Sequence, residues 1–497
     1  METIRVRKLN HSDLQIECDN GAAQELNEFF SFYVPGYKFM PAFRNRMWDG
    51  KIRLFTLRDK TLPVGLFYHL KEFCSKRDYE LLSIKTKYGG ADDRTRVTPT
   101  ELQEFMTTLD LPFPLRDYQF ESVGEGLVRK RAILLSPTGS GKSYMIYALA
   151  RFWTARLTDG ISYPKGGRVL IIVPTTSLVE QMHSDFIKYG MPEEAMHRIY
   201  SGKDKAAEAQ YIISTWQSIY KLPKVWFSQF GCVFGDEVHG FKSKSLMNIM
   251  NKCTEAEYRF GTTGTLDGSQ THELVLQGLF GKVYKVTTTK KLQDNETLAP
   301  LSIRRLVLTY GETVRRDFGK QTYQDEIDFI VSHERRNKFI RNLALSLEGN
   351  TLVLYNYVEK HGKPLYNLIR DKADENRKVY FVSGETDTSD REAIRGLVEG
   401  MSNSIVVASL GTFSTGINIR NLHNIVFASP SKSQIRVLQS IGRGLRKSDN
   451  GKETTLYDIS DDISWKSRKN YSLVHSWERL KIYQNEQFNY KTTVVDL

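Results

Sequence analysis

The stretch SPTGSGKS, residues 136–143, decides how this chain folds. It follows the short apolar run AILL at 132–135, which predicts a strand, and precedes 144–156, whose spacing predicts a helix. A strand, a glycine-rich turn, Gly-Lys-Ser and a helix together indicate a phosphate-binding loop. Gly139 and Gly141 allow backbone N–H groups to converge on phosphate oxygens, and the helix start adds its positive dipole end.

The other loop residues have predicted roles in the same site. Lys142 places an ammonium group near the β- and γ-phosphates, and the Ser143 hydroxyl is a ligand for Mg²⁺. Thr138 and Ser140 also belong to the predicted nucleotide-binding set. The sequence departs from the motif at its first position, where Ser136 replaces glycine.

Length and charge limit the classes of protein that fit. A chain of 497 residues is too long for one core and indicates about three domains. The formal net charge of +12 favours a polyanionic partner, although a generally basic surface would give the same balance. No apolar stretch reaches the length of a membrane span, so we expect no membrane partner.

The four cysteines are far apart, and none forms a Cys-x-x-Cys pair. Neither a zinc site nor a disulfide framework is therefore indicated, and a reducing, cytoplasmic compartment fits. The cysteines are Cys18, Cys74, Cys232 and Cys253.

Composition and periodicity predict the domains. Residues 1–90 indicate a small α+β unit and residues 91–110 a polar linker. In 111–290, apolar runs alternate with helical segments, and this pattern restarts in 291–497, so two tandem α/β domains with parallel sheets are expected. The predicted strands are 132–135, 168–173, 211–214, 232–234 and 259–262 in the first, and 351–355, 379–382, 405–408, 425–428 and 455–457 in the second. A helical tail is predicted over 471–490.

The N-terminal unit contains a stretch in which aromatic and basic residues alternate, YVPGYKFMPAFRNRMWDGKIRL at 33–54. Arginines grip phosphates and aromatic faces stack on bases, so Arg44, Arg46 and Trp48 are candidate nucleic-acid contacts. The alternative is an ordinary small domain with aromatics in its core and bases on its surface. The pair Asp49-Gly50 predicts a hairpin turn into a strand.

An acidic motif, DEVH, follows the predicted strand 232–234 within a few residues. Asp236, beside a phosphate-binding loop, is placed to hold Mg²⁺, and Glu237 is placed to orient or deprotonate the attacking water. His239 is expected to report the state of the phosphate to a neighbouring segment. The motif has this meaning because it ends a strand in the same α/β domain as the loop.

These motifs and several others resemble the ordered set of superfamily 2 helicases of the DExH type. The resemblance implies two tandem RecA-like domains with ATP in the cleft between them. It also implies adenine recognition by Arg116 and Gln119 in the segment LRDYQ at 115–119. Thr263 and Thr265, in GTTGT at 261–265, then couple hydrolysis to domain movement.

The same resemblance assigns nucleic-acid contacts and a second half of the nucleotide site. Expected contacts with nucleic acid are Pro174, Thr175, Thr215, Gln217, Ser383, Gly384 and Thr412. Gly416 joins the nucleotide-binding set. In QSIGRGLR at 439–446, Gln439, Arg443 and Arg446 join the catalytic set. Two arginines three residues apart share one helix face and would stabilise the charge on the transferring phosphate.

The N-terminal stretches GYKF at 36–39 and WDGKIRL at 48–54 resemble the N-terminal domain of the UvsW helicases of T-even bacteriophages, and the similarity extends along almost the whole chain. This implies a recombination and repair enzyme that uses ATP and Mg²⁺ to remodel forks, Holliday junctions, D-loops and R-loops. The implied partners are branched or double-stranded DNA, RNA–DNA hybrids, and replication and recombination proteins. A monomer in the host-cell cytoplasm is expected.

Three alternatives remain open on the residues alone. A nucleotide-switched clamp on branched DNA would share every ATPase motif. A DExH RNA helicase would share the basic–aromatic stretch. A motor subunit of a restriction system is a weaker alternative, because the sequence has no appended nuclease motif.

Overall fold

The computed structural model describes residues 2–497 except 93, 95–96, 156–166, 201–207, 242, 267–268, 296–297, 299, 319–321, 416–418, 420 and 431–452. The chain divides into two compact units. The first comprises Met1–Ser136 and Gly141–Val286, and the second comprises Pro137–Ser140 and Thr287–Leu497. Each unit contains one seven-stranded sheet among the described residues.

The first unit begins with a small mixed sheet of order β5-β2-β1-β6, in which only β1 and β6 are parallel. Helices α1 and α3 pack on it around a core that includes Phe30 and Phe73. The elements are β1 Thr3–Lys8, β2 Asp13–Glu17, α1 Asn20–Phe29, β3 Ser31–Tyr33, a 3-10 turn Tyr37–Phe39, α2 Pro41–Arg44, β4 Lys51–Arg53, β5 Thr61–Pro63, a 3-10 turn Val64–Leu66, α3 Phe67–Lys76 and β6 Glu80–Ile84.

The rest of the first unit is a parallel sheet of order β13-β7-β12-β11-β8-β10-β9, with apolar clusters on both faces. Its first elements are α4 Pro99–Thr108, α5 Asp117–Arg129, β7 Arg131–Leu135, α6 Lys142–Ala155, β8 Arg168–Val173, α7 Thr176–Lys188, a 3-10 turn Glu193–Ala195, β9 Met196–Ile199 and β10 Tyr211–Thr215. The remainder are α8 Trp216–Ile219, α9 Lys224–Phe227, β11 Phe230–Asp236, a 3-10 turn Val238–Gly240, α10 Lys244–Lys252, β12 Tyr258–Thr263, α11 Gln270–Phe280 and β13 Val283–Lys285.

The second unit has a parallel sheet of order β16-β17-β15-β18-β19-β14-β20. Its elements begin with α12 Thr289–Asp294, β14 Leu301–Thr309, α13 Glu312–Asp317, α14 Tyr323–Ser332, α15 Glu334–Ser346, β15 Thr351–Tyr355, a π-helical turn Val358–Gly362, α16 Lys363–Arg370 and β16 Val379–Val382. They continue with α17 Thr388–Glu399, β17 Ile405–Ser409, α18 Leu410–Thr415, β18 Asn424–Phe427, β19 Thr454–Asp462, α19 Tyr471–Asn485 and β20 Asn489–Asp496.

The predicted fold class is confirmed: the described chain has two parallel α/β sheets after a small α+β domain. The predicted strands all lie within or overlap observed ones. Helix α4 lies inside the segment that was predicted as a linker, and it begins with a capping box formed by Thr98 and Glu101. Leu102, Met106 and Leu109 from this segment belong to the core of the first seven-stranded sheet.

Two local predictions are confirmed only in part, because the predicted tail is helical over Tyr471–Asn485 and Asp49-Gly50 does lead into strand β4. Asp49-Gly50 does not close a hairpin between adjacent strands, because β4 pairs with β3 and residues 34–50 form a long excursion between them. The tail is helical only as far as Asn485, since the chain then turns into β20, which pairs in parallel with β14.

Candidate functional site

Three strand ends meet at one edge of the first seven-stranded sheet. Strand β12 lies between β7 and β11, and all three run parallel. Their carboxyl ends are therefore neighbours, which is where open parallel sheets bind ligands. Strand β7 leads into the phosphate-binding loop, β11 ends at Asp236 and β12 ends at Thr263.

A backbone hydrogen bond attaches the start of the loop to the sheet, since the Ser136 N–H donates to the Thr263 carbonyl at 2.9 Å. Within the loop, the Ser140 hydroxyl donates to the Pro137 carbonyl at 2.7 Å. Ser136, which replaces the usual glycine of the motif, is fully buried beside β12. Serine is therefore accommodated here without disturbing the strand-to-loop transition.

Two structural constraints favour glycine at position 141. Its φ of +83° lies in the left-handed region, and a Cβ would stand 2.4 Å from the side-chain nitrogen of Gln119. Gln119 is almost fully buried, and its side-chain oxygen accepts the Arg116 N–H at 2.9 Å at the start of α5. The Arg116 guanidinium donates to the Tyr118 hydroxyl at 3.0 Å. The two residues predicted to recognise adenine thus lie next to the loop.

A chain of polar contacts runs from the loop to the end of β12. The Lys142 ammonium lies 3.5 Å from one Glu237 carboxylate oxygen, and the His239 Nδ1 lies 3.3 Å from the other. The same Nδ1 lies 3.1 Å from the Thr263 hydroxyl oxygen. Because that hydroxyl donates its hydrogen to the Thr265 carbonyl at 2.9 Å, the His239 Nδ1 is the donor to Thr263.

Asp236 is held in place at the end of β11. One of its carboxylate oxygens accepts both the Thr262 hydroxyl at 2.6 Å and the Glu237 N–H at 3.0 Å. Burial, together with the Glu237 charge, raises the pKa of Asp236, while Lys142 acts in the opposite direction. A cation beside this carboxylate would restore its ionised form.

Glu237 has a backbone conformation that is unusual for a side-chain-bearing residue, with φ at +51°. Conformations of this kind cost about 1–3 kcal/mol and persist where surrounding contacts hold them. Here the Asp236 carboxylate binds the Glu237 N–H, and the Glu237 carbonyl accepts the Gly240 N–H at 3.1 Å. In this conformation the Glu237 carboxylate lies 3.5 Å from the Lys142 ammonium.

Ser143, the second predicted Mg²⁺ ligand, has a partner that the sequence did not reveal. Its hydroxyl lies 3.0 Å from the Tyr189 hydroxyl, just beyond α7. The hydroxyl of Ser143 and the carboxylate of Asp236 are hard oxygen donors, which fit Mg²⁺. Thr262, which positions Asp236, and Tyr189 are the functional candidates missed by motif spacing. Thr262 lies within a motif that was identified, whereas no pattern marks Tyr189.

The predicted nucleic-acid residues of the first sheet form one group. Val173 and Thr215 are paired in the register of β8 and β10, so the loops that follow these strands are adjacent. The Gln217 amide donates to the Pro174 carbonyl at 3.4 Å. Thr175 caps α7 by accepting the Leu178 N–H, and the Thr215 hydroxyl lies 2.9 Å from that of Ser218.

In the second unit, Gly384 and Thr412 are close together because β16 and β17 are neighbours. Gly384 is exposed, but Ser383 and Thr412 are almost fully buried. The Ser409 hydroxyl donates to that of Thr412 at 2.6 Å. These two side chains therefore shape the loops, and exposed backbone is the surface that a ligand would meet.

Four predicted site residues lie outside the described part of the chain. They are Gly416, Gln439, Arg443 and Arg446. Their roles stay predictions from the sequence.

The last residue of β3 and the stretch between β3 and β4 form a surface that we call the basic–aromatic patch. Its members are Tyr33, Tyr37, Lys38, Phe39, Phe43, Arg44, Arg46, Met47 and Trp48. Tyr33 and Tyr37 stack with ring centres 4.6 Å apart, and Phe43 meets Tyr37 edge-on. Phe39 and Met47 are about three-quarters exposed, at 76% and 74%. A concavity of about 620 Å³ is lined by Lys38, Phe43, Arg44, Arg46, Met47, Trp48 and Asp49.

The three residues predicted to touch nucleic acid lie along this concavity. Arg44 and Arg46 are exposed, and neither forms an ion pair with another described residue. Trp48 is half-buried, and its indole N–H donates to the Lys51 carbonyl at 2.8 Å. Its ring is thus fixed at the rim while both guanidinium groups remain available.

Three family profiles match successive parts of the chain. The profile described as "DNA helicase UvsW, N-terminal" matches residues 3–84. The profile "Type III restriction enzyme, res subunit" matches 112–268, and "Helicase conserved C-terminal domain" matches 334–448. The first of these two profiles falls on the first seven-stranded sheet, and the second falls on the second.

The whole chain is also similar to one curated protein, the ATP-dependent DNA helicase uvsW of Enterobacteria phage T4. The two are 36% identical, over 99% of this chain and 100% of the phage T4 protein. The chain belongs to the UvsW family of DNA helicases. The crystal structure of T4 UvsW agrees, with 33% identity, 99% of both chains covered and a TM-score of 0.51.

More distant relatives share parts of the UvsW architecture. A protein of Sulfurisphaera tokodaii named DNA 3'-5' translocase XPB2 is 25% identical over 70% of this chain and 83% of its own length. The restriction-modification enzyme LlaBIII bound to DNA has a TM-score of 0.55 at 16% identity, covering 78% of this chain and 32% of LlaBIII, which shows a shared fold only.

As a UvsW-family member, the chain is an ATP-dependent DNA helicase, so it uses nucleotide and binds DNA. The helicase reading from the sequence motifs is confirmed at this level. None of the described helices is both long and apolar enough to cross a bilayer.

Proposed function

We propose that this UvsW-family helicase uses ATP hydrolysis at the first seven-stranded sheet to move along and remodel branched DNA. The observation that carries the proposal is the contact chain from Lys142 through Glu237 and His239 to Thr263. It connects Lys142, the residue predicted to meet the transferring phosphate, to the end of a strand, so a movement of this lysine would alter a hydrogen bond at the sheet edge.

The Lys142–Glu237 ion pair is the part that a nucleotide would rearrange. Both side chains are largely buried, at 14% and 20% exposed, and their separation of 3.5 Å is long for a tight pair. Phosphate oxygens would draw the Lys142 ammonium away from Glu237. The released carboxylate is then available to orient the attacking water and accept its proton.

Ser143 and Asp236 are the residues that would hold Mg²⁺. The ion would neutralise charge on the phosphate oxygens when bound. To take this role, Ser143 must exchange its hydrogen bond with Tyr189, and Asp236 retains Thr262 as its orienting partner.

His239 is proposed to carry the state of the site to the sheet edge. Its Nδ1–H is shared between Glu237 and Thr263, at 3.3 Å and 3.1 Å. When Glu237 turns to a water molecule, this hydrogen remains with Thr263 alone. Thr263 is in turn connected to the backbone of Thr265, the segment predicted to couple hydrolysis to movement.

DNA is proposed to lie along the loops after β8 and β10 and those after β16 and β17, and on the basic–aromatic patch. Backbone phosphates are the expected ligands, which makes binding tolerant of sequence and sensitive to salt. We further propose RNA–DNA hybrids as substrates, replication and recombination proteins as partners, and a monomeric state. The domain limits 1–90, 91–110, 111–290 and 291–497 are also proposals.

The basic–aromatic patch is tested by alanine at Arg44, Arg46 and Trp48 together. Affinity for a four-way junction should fall at least about tenfold, since two phosphate contacts and one stacking platform are lost. The control is Arg58→Ala, another exposed arginine of the same domain. A double Arg44→Ala/Arg46→Ala variant retains the packing of Trp48. Unchanged junction affinity in both folded variants would show that the patch is an ordinary surface that does not contact DNA.

The substrate class is tested by the ATPase rate with single-stranded DNA, duplex DNA, a four-way junction and single-stranded RNA at one salt concentration. We expect the junction to stimulate most. Stronger stimulation by RNA would favour an RNA substrate, and equal rates with every nucleic acid would contradict a branch-specific motor.

A further inference from the structure

A second surface that combines basic residues with aromatic rings lies in the second unit, at the turn between β19 and α19. The segment 464–485 contains five lysine and arginine residues and one acidic residue, Glu478. The Glu478 carboxylate is already paired, since it lies 3.0 Å from the Lys481 ammonium. The balance of charge here is therefore positive. We call this region the α19 surface, and its members are Lys466, Arg468, Lys469, Tyr471, Trp477 and Tyr323.

The turn that carries the basic residues is held by hydrogen bonds. Trp465 and Arg468 exchange two backbone hydrogen bonds of 3.1 Å, and Lys466 between them has φ at +52°, in the left-handed region. Next to the turn, the Asn470 side-chain amide donates to the buried Glu326 carboxylate at 3.0 Å. The basic side chains therefore extend from a backbone whose conformation is fixed.

Helix α19 carries its aromatic side chains on a rigid support. Its inner face is anchored by Arg479, whose guanidinium binds the buried Asp458 carboxylate at 2.6 Å. Tyr471 and Trp477 are 44% and 39% exposed, and the rise of the helix separates them by about 9 Å along its axis. Tyr323, 39% exposed at the start of α14, meets Tyr471 edge-on with ring centres 5.7 Å apart. Three accessible rings thus share one side of the second unit.

Two ammonium groups of the α19 surface are available to an anion. Lys466 and Lys469 are exposed, and neither forms an ion pair within the part of the chain that the structure describes. The Lys469 ammonium lies 5.5 Å from the centre of the Trp477 ring, a contact that leaves its charge unneutralised. The Tyr471 N–H at the helix start already donates to Glu326 at 2.9 Å. Side chains, rather than the helix start, would therefore bind a phosphate.

The α19 surface lies at the same sheet edge as the predicted nucleic-acid residues of the second unit. Strands β16, β17, β15, β18 and β19 are parallel neighbours, so their carboxyl ends share one edge. Ser383, Gly384 and Thr412 follow β16 and β17 at this edge, and the turn 464–469 follows β19. Three strand spacings, about 14 Å, separate β17 from β19. One DNA strand that crosses this edge can contact both places.

We propose that the α19 surface holds a single strand of DNA, with Lys466 and Lys469 on its phosphates and Trp477 stacked on a base. Cations beside exposed aromatic rings bind single strands without reading their sequence. DNA is the occupant because the chain belongs to a family of DNA helicases. The inference rests on the proposed function, since it extends the DNA path of the second unit beyond the loops after β16 and β17.

The charge contacts are tested by fluorescence anisotropy of a labelled oligothymidylate with the full chain. Lys466→Gln/Lys469→Gln should weaken binding at least about tenfold and reduce the salt slope by about 1.4, because each phosphate contact of a single strand contributes about 0.7. The control is Lys372→Gln/Lys378→Gln, which changes two exposed lysines that precede β16 in the same unit. An unchanged salt slope, or an equal loss of affinity in the control, would overturn the proposal.

The stacking contact is tested by Trp477→Leu, with Trp477→Phe as the conservative variant. Leucine is apolar but has no ring face, so oligothymidylate affinity should fall at least about fivefold. Phenylalanine retains a ring and should retain most of the affinity. Both variants should bind blunt duplex DNA as the wild type does, because the bases of a duplex are already stacked on one another. Equal oligothymidylate affinities of the two variants, or an equal loss of duplex binding, would overturn the single-strand assignment.

The chemistry of the strand is tested by competition between oligothymidylate and oligouridylate. Oligothymidylate should compete at least as well as oligouridylate. A preference for oligouridylate that disappears in Lys466→Gln/Lys469→Gln would overturn the assignment of DNA.

The proposed function has a separate readout, which is stimulation of the wild-type ATPase by a four-way junction. Stimulation together with unchanged oligothymidylate binding in the lysine and Trp477→Leu variants would leave that function standing and overturn the α19 surface. Weakened binding in these variants, without stimulation of the wild type, would support the α19 surface and contradict the motor.

Discussion

In the first seven-stranded sheet the key carboxylates lie where a strand ends, whereas in the second the comparable carboxylates lie within a strand. Asp236 closes β11 and is followed by Glu237, which has a partly exposed side chain. Asp458 and Asp461 lie inside β19 and are fully buried. Both sheets thus place acidic and basic groups together, but in different surroundings.

The partners of these carboxylates explain the difference in function. Glu237 faces Lys142 and His239 at 3.5 Å and 3.3 Å, contacts that are loose enough to exchange when a phosphate arrives. Asp461 binds Arg336 at 2.7 Å, and that arginine also donates to the Ala428 carbonyl. Full burial and a short contact make the Arg336–Asp461 pair structural, while the longer contacts and the strained backbone at Glu237 allow its partners to exchange.

Removing Lys142 from its contact with Glu237 in the first sheet should have the largest effect on activity. Lys142→Ala should reduce ATP turnover at least about 100-fold, because the ammonium that meets the transferring phosphate is removed. DNA binding without nucleotide should remain. Lys188→Ala, at an exposed lysine of α7, is the matched control for steady-state ATPase assays. Retained turnover in Lys142→Ala would contradict the assignment of the phosphate loop.

Breaking the buried Arg336–Asp461 pair in the second sheet should lower the free energy of unfolding. Asp461→Asn leaves Arg336 without a buried counter-charge and should cost about 3–5 kcal/mol of unfolding free energy. Asp371→Asn, in the exposed pair with Arg370, should leave the unfolding free energy nearly unchanged. Urea unfolding of the full chain measures both. Similar losses of unfolding free energy in the two variants would show that burial does not determine how much each ion pair contributes to stability.

A smaller change sharpens the role of Asp236. Thr262→Val removes the 2.6 Å hydrogen bond to its carboxylate and should cost about 1.5–3 kcal/mol in the interaction. The Mg²⁺ concentration needed for half-maximal ATPase activity should therefore rise about tenfold or more. Thr107→Val, at an exposed position in α4, should leave it unchanged. An unaltered Mg²⁺ requirement in Thr262→Val would contradict this positioning role.

The second sheet should also show a pH signature. Burial, followed by the positive charge of Arg336, lowers the pKa of His361 from 6.5 to about 3. Between these two pH values, the unfolded chain therefore binds a proton at His361 that the folded chain does not bind. This stabilising contribution is complete above pH 6.5 and decreases as the pH falls towards 3. It amounts to about 2 kcal/mol between pH 7 and pH 5.

His361→Gln removes that titration. Its unfolding free energy in urea should therefore fall less steeply than that of the wild type between pH 7 and pH 5. The comparison uses slopes, because loss of the contacts between His361 and Ser429 changes stability at every pH. Parallel pH profiles would contradict a neutral, buried His361.

Apolar runs were enough to predict most of both sheets, because buried parallel strands are apolar on both faces. Strand β20 was not predicted, because it is a polar edge strand that is exposed at nearly every residue. Strand β14 includes Arg304 and Arg305, and the second is buried against Ser476, a contact that only the tertiary fold creates.

The candidate site was predicted where motif residues adjoin a strand end. Lys142, Asp236 and Glu237 were identified from spacing, and the parallel order of β7, β12 and β11 explains why they meet. Tyr189 could not be predicted, since its contact with Ser143 depends on how α7 packs beside the loop. The excursion between β3 and β4 was likewise hidden, because the turn chemistry of Asp49-Gly50 fits a hairpin equally well.

The most direct test of the motor is strand displacement from a four-way junction by the wild type and Glu237→Gln. The variant retains the size of the side chain but loses its ability to accept a proton from water. We expect the wild type to displace strands with ATP and Mg²⁺ but not with a non-hydrolysable analogue. Glu237→Gln should bind nucleotide and junction yet displace no strand. Displacement by Glu237→Gln at the wild-type rate would contradict an ATP-driven motor at this site.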